Sequence, residues 1–183
     1  MNRSIPGTVL QLPDKDTAHI EEQFRSMFLA GGIMLGQVSA ITGLEPYTVQ
    51  NWVKRGFLSP PVNKRYTLRQ LCRIININML KAALPMEDIC GLLHYINGQL
   101  DNEQDDLIDD SRLYFLFVRL AMDYRQGTEL DPFLDRALSD YQEPVPGAKE
   151  RVKKVLHIML TAWAAARLRQ TAENMVKELK AES

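Results

Sequence analysis

Apolar residues recur at helical spacing along most of the chain, and glycine and proline interrupt them at a few sharp points. Ile20, Phe24, Met27 and Phe28 stand at i, i+4, i+7 and i+8. They predict a helix through His19 to Phe28, capped by Asp16 or Thr17 and ended by Gly31-Gly32. A short second helix is expected over 35–41, followed by a tight turn at Thr42-Gly43-Leu44, where Gly43 suits a positive φ. Pro46 fits the first position of a third helix over 46–55, because its missing N–H has no partner to lose there. Pro60-Pro61 forbids a helix across 57–66, so that stretch is read as a small hairpin or loop. Thr67 and Gln70 form the T-x-x-Q of a capping box ahead of a helix that buries Leu68, Leu71, Cys72, Ile75, Met79 and Leu80. Pro85 ends that helix and opens another over 86–95, with Ile89, Leu92 and Leu93 inward.

The second half of the chain is also helical in pattern. Residues 98–110 are polar and acidic, and Asp109 or Asp110 caps a helix expected over 111–125. A shorter helix is expected over 131–141, and the run Glu143-Pro144-Val145-Pro146-Gly147 is a break. Residues 148–180 carry the longest helical pattern, about 50 Å if unbroken at the usual rise per residue. Its middle, 160–166, is apolar or small on nearly every face, which implies burial on more than one side.

Charge changes the picture through its distribution, since the formal net charge is only −1. Between Pro46 and Met86 the charged residues are Lys54, Arg55, Lys64, Arg65, Arg69, Arg73 and Lys81, with no acid among them. Between Asp101 and Asp110 stand six acids and no base. This asymmetry suggests a polyanionic partner for the first part alone. The two cysteines, Cys72 and Cys90, lack CxxC spacing and lie on apolar helix faces, so core packing is the expectation rather than a disulfide or zinc site. No apolar run approaches the roughly 20 residues of a membrane span, and no secretory signal opens the chain, which predicts a cytoplasmic protein without membrane contact. There is no Gly-rich phosphate loop, no HExxH and no nucleophile–base set, so neither an enzyme nor a cofactor is expected.

The chemistry-bearing pattern is the pair of helices around Gly43. In a helix-turn-helix, one helix buttresses a second whose N-terminal residues reach base edges in the major groove. With Val49, Trp52 and Val53 facing inward, Tyr47, Thr48, Gln50, Asn51 and Lys54 are left on the outer face. Gln50 and Asn51 are suited to bidentate pairing with adenine, Lys54 and Arg55 to phosphate. Lys64, Arg65 and Tyr66 in the hairpin are suited to contact with the nucleic-acid backbone.

These residues resemble MerR-type regulators in five ordered segments: 35–44 the opening helix and turn, 46–49 the helix start, 56–61 the exit, 65–71 the tyrosine and capped helix, and 84–89 the closing helix. A closer resemblance is to the uncharacterised bacterial family called domain of unknown function 1836, on Asn51-Trp52-Val53-Lys54-Arg55-Gly56, Pro60-Pro61 and Lys64-Arg65-Tyr66. Departures from MerR proteins are Tyr47 and Gln50 where arginine is usual and Glu45 where a serine cap is usual, and an acidic segment replaces an immediate dimerisation helix.

The resemblance implies a mainly α fold: a MerR-like winged helix-turn-helix with a small β wing, followed by an α-helical C-terminal region. The expected division is a flexible arm over 1–15, the winged domain over 16–98, an acidic linker over 99–110 and a helical region for dimerisation or effector binding over 111–183. The expected function is transcriptional regulation by binding double-stranded DNA, with helix 46–55 in the major groove and the wing 60–66 on phosphate. A homodimer through the C-terminal helices would present paired half-sites; no effector class is legible. The alternative is a protein-interaction adaptor that keeps the fold without binding DNA.

Overall fold

The computed structural model describes residues 4–11, 18–100 and 102–181. Among these the protein is mainly α-helical with one small two-stranded antiparallel sheet. The elements run α1 (Ala18–Ser26), β1 (Ile33–Met34), α2 (Leu35–Thr42), α3 (Pro46–Lys54), β2 (Arg65–Tyr66), α4 (Leu68–Leu80) and α5 (Met86–Asn97). They continue as α6 (Asp110–Asp123), α7 (Leu130–Ala137) and α8 (Ala148–Ala181), with a single 3-10 turn at Glu103–Asp105 before α6. No helix among the described residues is long and apolar enough to cross a membrane.

Helix α4 is the axis of the molecule. Leu71, Cys72, Ile74, Ile75, Ile77, Met79 and Leu80 are all buried, so apolar side chains leave it in nearly every direction. It packs most extensively on α6 and also touches α2, α5 and α8. The capping box forms as its sequence predicts: Gln70 N donates to Thr67 Oγ1 (3.2 Å), and Thr67 N donates to Gln70 Oε1 (2.9 Å). The Gln70 amide then donates onward to the carbonyls of Ser59 and Pro60, 3.0 Å each, tying the Pro60-Pro61 stretch to the helix start.

Helix α1 ends at Ser26, short of Gly31-Gly32. Ser26 Oγ donates to the Gln23 carbonyl at 2.7 Å, and Met27 and Phe28 make turn bonds three residues back. Such local hydroxyl bonding competes with the helix ladder. The caps expected at Asp16 or Thr17 lie outside the described residues.

The N-terminal stretch, expected as a flexible arm, is docked over 4–11. Ile5 is buried, the Tyr114 hydroxyl donates to the Pro6 carbonyl (3.0 Å), and the Asn78 amide donates to the carbonyls of Gly7 and Thr42 (3.0 Å each). Gly7 permits this approach. Its φ is +74°, and a Cβ there would stand 2.8 Å from the Ile75 carbonyl oxygen and 2.7 Å from Ile75 Cγ2.

The acidic segment, expected as a linker, is likewise part of the packed body. Leu107 and Ile108 are buried, and its aspartates reach back to α4. Arg69 meets Asp106 at 2.6 Å and Asp110 at 3.6 Å; Arg73 meets Asp110 at 3.4 Å. Asp109 caps α6 by accepting from the backbone N–H of Ser111 and Arg112. Burial pushes the Asp106 carboxyl up to about 6 against the pull of Arg69, and burial raises Asp110 in the same sense. Phe24, Tyr114 and Phe115 join α1 to α6, ring centroids 5.4 to 5.9 Å apart, so both halves share one core.

Gly7→Ala is expected to unseat the arm and lower stability by about 1–3 kcal/mol, the usual cost of overpacking. Urea unfolding checks it, and an unchanged midpoint contradicts it. Between pH 4 and 6 the folded chain holds a proton on Asp106 that the unfolded chain has released, so this group's contribution to stability falls as pH rises. Asp106→Asn removes that dependence. Its stability relative to the parent is expected to rise from pH 4 to pH 7 by at most about 3 kcal/mol, and equal slopes for the two proteins would refute the assignment.

Candidate nucleic-acid interface

The surface begins at the turn between α2 and α3. Gly43 takes φ +70° and its N–H donates to the Ser39 carbonyl at 2.8 Å, closing α2. Thr42 Oγ1 donates to the Val38 carbonyl and accepts from Leu44 N, so the turn is satisfied from inside. The arm backs it from outside, because Val9 N donates to the Ile41 carbonyl at 3.0 Å. Pro46 then starts α3 as the sequence predicts.

Two faces of α3 separate cleanly. Val49 and Trp52 are buried and Val53 is half-buried, holding the helix to the core. Tyr47 (70% exposed), Gln50, Asn51 and Lys54 point to solvent, and Thr48 is half-buried at the flank. Arg55 follows the helix and lies over the Phe57 ring, 4.5 Å from its centroid, with its side chain at the surface. Lys81 Nζ lies over the Trp52 ring, 5.8 Å from its centroid, and burial lowers the pKa of its ammonium.

The second component is a two-residue hairpin. Val62 and Arg65 exchange backbone hydrogen bonds of 2.9 and 3.1 Å around Asn63 (φ 49°) and Lys64 (φ 62°). Two successive left-handed residues make a type I′ turn, whose second position favours glycine. Lysine there costs about 1–2 kcal/mol. Side chains held in sparsely populated backbone regions cluster at functional sites. The descending strand, β2, pairs with β1 as Ile33↔Tyr66 and Met34↔Arg65. That small strand at 33–34 has no signal in the periodicity, being only two residues long. Arg65 Nη1 donates to the Gly32 carbonyl at 2.9 Å, which steadies the base of the hairpin.

Tyr66 is corrected by this register. Strand side chains alternate between faces, so with Arg65 outward Tyr66 turns inward and is only 3% exposed. Its ring belongs to the core and does not line the surface. The remaining expected residues, Tyr47, Thr48, Gln50, Asn51, Lys54, Arg55, Lys64 and Arg65, all have solvent-accessible side chains on α3, its exit and the hairpin.

Electrostatics sharpen the division. Of the seven bases counted between Pro46 and Met86, Arg69 and Arg73 are taken up by Asp106, Asp109 and Asp110. Lys54, Arg55, Lys64 and Arg65 pair with no carboxylate among the described residues. Glu45, exposed at the head of α3, is the one acid in the sequence from Ile33 to Tyr66. Among the described residues no group of three or more His, Cys, Asp and Glu side chains could hold a metal ion. Cys72 is buried and Cys90 half-buried, both free thiols.

The model of a family described as a domain of unknown function (DUF1836) matches residues 20–117, just over half of the chain. The match includes α3, the hairpin and the aspartates that pair with α4. A curated relative, the uncharacterized protein YkrK of Bacillus subtilis (strain 168), is 27% identical over 86 residues, covering 45% of this chain and 37% of that protein. The chain thus spans little more than a third of the length of that relative. No solved structure matches the chain.

Lys64→Gly is expected to stabilise the fold by about 1 kcal/mol by relieving the left-handed lysine. Lys64→Ala keeps the strained backbone and is expected to give no such gain. Thermal unfolding of the two variants decides the matter; a glycine variant no more stable than the alanine variant would show that the turn is unstrained.

Proposed function

We propose that this chain, which belongs to the DUF1836 family, binds duplex DNA as a transcriptional regulator through a MerR-like winged helix-turn-helix. In this reading α2 buttresses, the Gly43 turn sets the crossing, α3 enters the major groove and the 62–65 hairpin is the wing. The observation that carries it is the partition of charge. Of the seven bases between Pro46 and Met86, the acidic segment takes up Arg69 and Arg73; of the five that pair with no carboxylate among the described residues, Lys81 lies over Trp52, and Lys54, Arg55, Lys64 and Arg65 stand at the exit of α3 and on the hairpin.

The residue types fit that task. Gln50 and Asn51 are exposed on α3 and match adenine's major-groove edge, each good pair being worth about 1–3 kcal/mol of discrimination. Lys54 and Lys64 offer point charges to phosphate. Two features reduce the electrostatic share of binding: Tyr47 and Gln50 carry no charge, and Glu45 is an exposed acid at the head of the same helix. A weak dependence on salt is the consequence, set by the few phosphates the protein can neutralise.

A second reading rests on Tyr47. A large aromatic side chain left 70% exposed beside an acid is also what a protein-interaction surface presents. On that reading the fold serves as an adaptor.

Selection from random duplexes at low salt, followed by fluorescence anisotropy on the enriched sequence, tests the proposal. Lys54→Ala, Lys64→Ala and Arg65→Ala combined are expected to weaken binding to every duplex and to flatten the log–log salt slope by about 2–3. Asn51→Ala is expected to relax preference at one base position. No duplex enrichment, or wild-type affinity in the triple variant, refutes DNA binding. A stoichiometric complex with another protein lost on Tyr47→Ala would favour the adaptor.

A further inference from the structure

The docked N-terminal stretch touches two places at once. Ser4, Pro6 and Gly7 form one wall of a cavity of about 450 Å³, whose other walls come from the end of α6 and from the Trp163–Thr171 part of α8. That volume lies within the usual range of small-molecule sites. A few residues on, the same stretch braces the turn between α2 and α3. Val9 N donates to the Ile41 carbonyl at 3.0 Å, and a Cβ at Gly43 would stand 2.7 Å from Val9 Cγ1. The Asn78 amide donates to the carbonyls of both Gly7 and Thr42, so one side chain of α4 fastens arm and turn together.

The cavity lining is unbalanced in charge. It holds two cations, Arg125 and Arg167, and no acid. Neither arginine pairs with a carboxylate among the described residues. Both are held by other means. Arg125 Nη1 donates to the carbonyls of Met122 and Tyr124, 2.9 Å each, which leaves the rest of its fork for another acceptor. Arg167 lies over the Trp163 ring, 4.9 Å from its centroid. Trp163 is fixed in turn by edge-on contacts with Phe117 and Tyr124, centroids 6.1 and 6.5 Å away. Guanidinium groups anchored in this way lose little freedom on gripping an anion, and their planar fork matches a carboxylate. The remaining lining is largely apolar, at Pro6, Ala121, Met122, Ala164 and Leu168.

We propose that this cavity binds a small anion with a flat apolar body, an aromatic carboxylate being the simplest, and that the bound ligand locks the arm onto the α2–α3 turn. The carboxylate is met by Arg125 and Arg167. The ring packs on the flat surfaces of Trp163 and Pro6, an arrangement that aromatic rings favour beyond the area they bury. A ligand shifts a conformational equilibrium only when it binds one state better than the other. Ser4, Pro6 and Gly7 complete the wall only while the arm is docked, so the ligand binds the docked state better and stabilises it. The docked arm holds Ile41 and Gly43, and with them the aim of α3, whatever α3 meets. None of this requires DNA.

Heteronuclear NMR of the full chain without nucleic acid tests the proposal, with 2-naphthoate as the probe and the indole N–H of Trp163, one of two tryptophans in the chain, as the reporter. A saturable shift of that signal is expected at millimolar probe or below. At saturation, amide hydrogen exchange at Val9 is expected to slow by about fivefold or more. Uncharged 2-naphthamide is expected to bind about tenfold more weakly or worse, and Arg125→Ala with Arg167→Ala to weaken naphthoate binding by a similar factor. Thermal unfolding of that double variant is expected to be unchanged, since both side chains are exposed. Gly7→Ala, which unseats the arm, is expected to weaken binding and abolish the Val9 response. No saturable shift at Trp163, equal binding of the amide, or parental affinity in the double variant overturns the site. Binding that leaves Val9 exchange unchanged overturns the lock.

Discussion

The fold turns on Arg73. Its Nε donates to the Phe57 carbonyl at 3.1 Å, just past the end of α3, and its Nη1 meets Asp110 at 3.4 Å, at the start of α6. One buried guanidinium on the central helix thus joins two segments that the chain separates by more than fifty residues. Burying this pair is costly, and removing one partner alone strands the other charge, typically at 3–5 kcal/mol. The tilt of α3, and with it the outward set of Tyr47, Gln50, Asn51 and Lys54, is therefore coupled to how α6 seats on α4. The proposed reading surface is not an independent module hung on a linker; the C-terminal half holds it from behind.

The same interaction sorts the charge. A chain with a net charge of −1 has little long-range attraction for a polyanion. By folding Asp106, Asp109 and Asp110 onto Arg69 and Arg73, it pairs half of the acids of its acidic segment internally and leaves a local excess of cations at the α3 exit and hairpin. The left-handed lysine at the hairpin tip belongs to this picture, a place where glycine would fold more easily and lysine offers a charge.

Much of this was legible in the chain because the signals are local. Gly43 at the turn, Pro46 at a helix start and the Thr67–Gln70 capping box each act through neighbours a few residues away, and each stands where the pattern puts it. Long-range terms were not legible. Nothing in the run of aspartates says that they will face Arg69 and Arg73, and nothing in the first eleven residues says that Gly7 will press against Ile75. Tyr66 lies between these cases. The basic tip invited a surface role for it, whereas the period-two alternation with Arg65 already pointed its ring inward. The broad apolar character of 160–166 likewise concealed two separate faces, one for the chain's own core and one for solvent.

The proposed duplex-binding role is tested most directly by mapping, amide by amide in heteronuclear NMR spectra, where the protein responds to a selected DNA duplex. Shift changes are expected to concentrate on 46–55 and 62–66 and to fade across α4 toward α6. Changes centred on α7 or α8, or none in α3 at saturating duplex, would contradict that role.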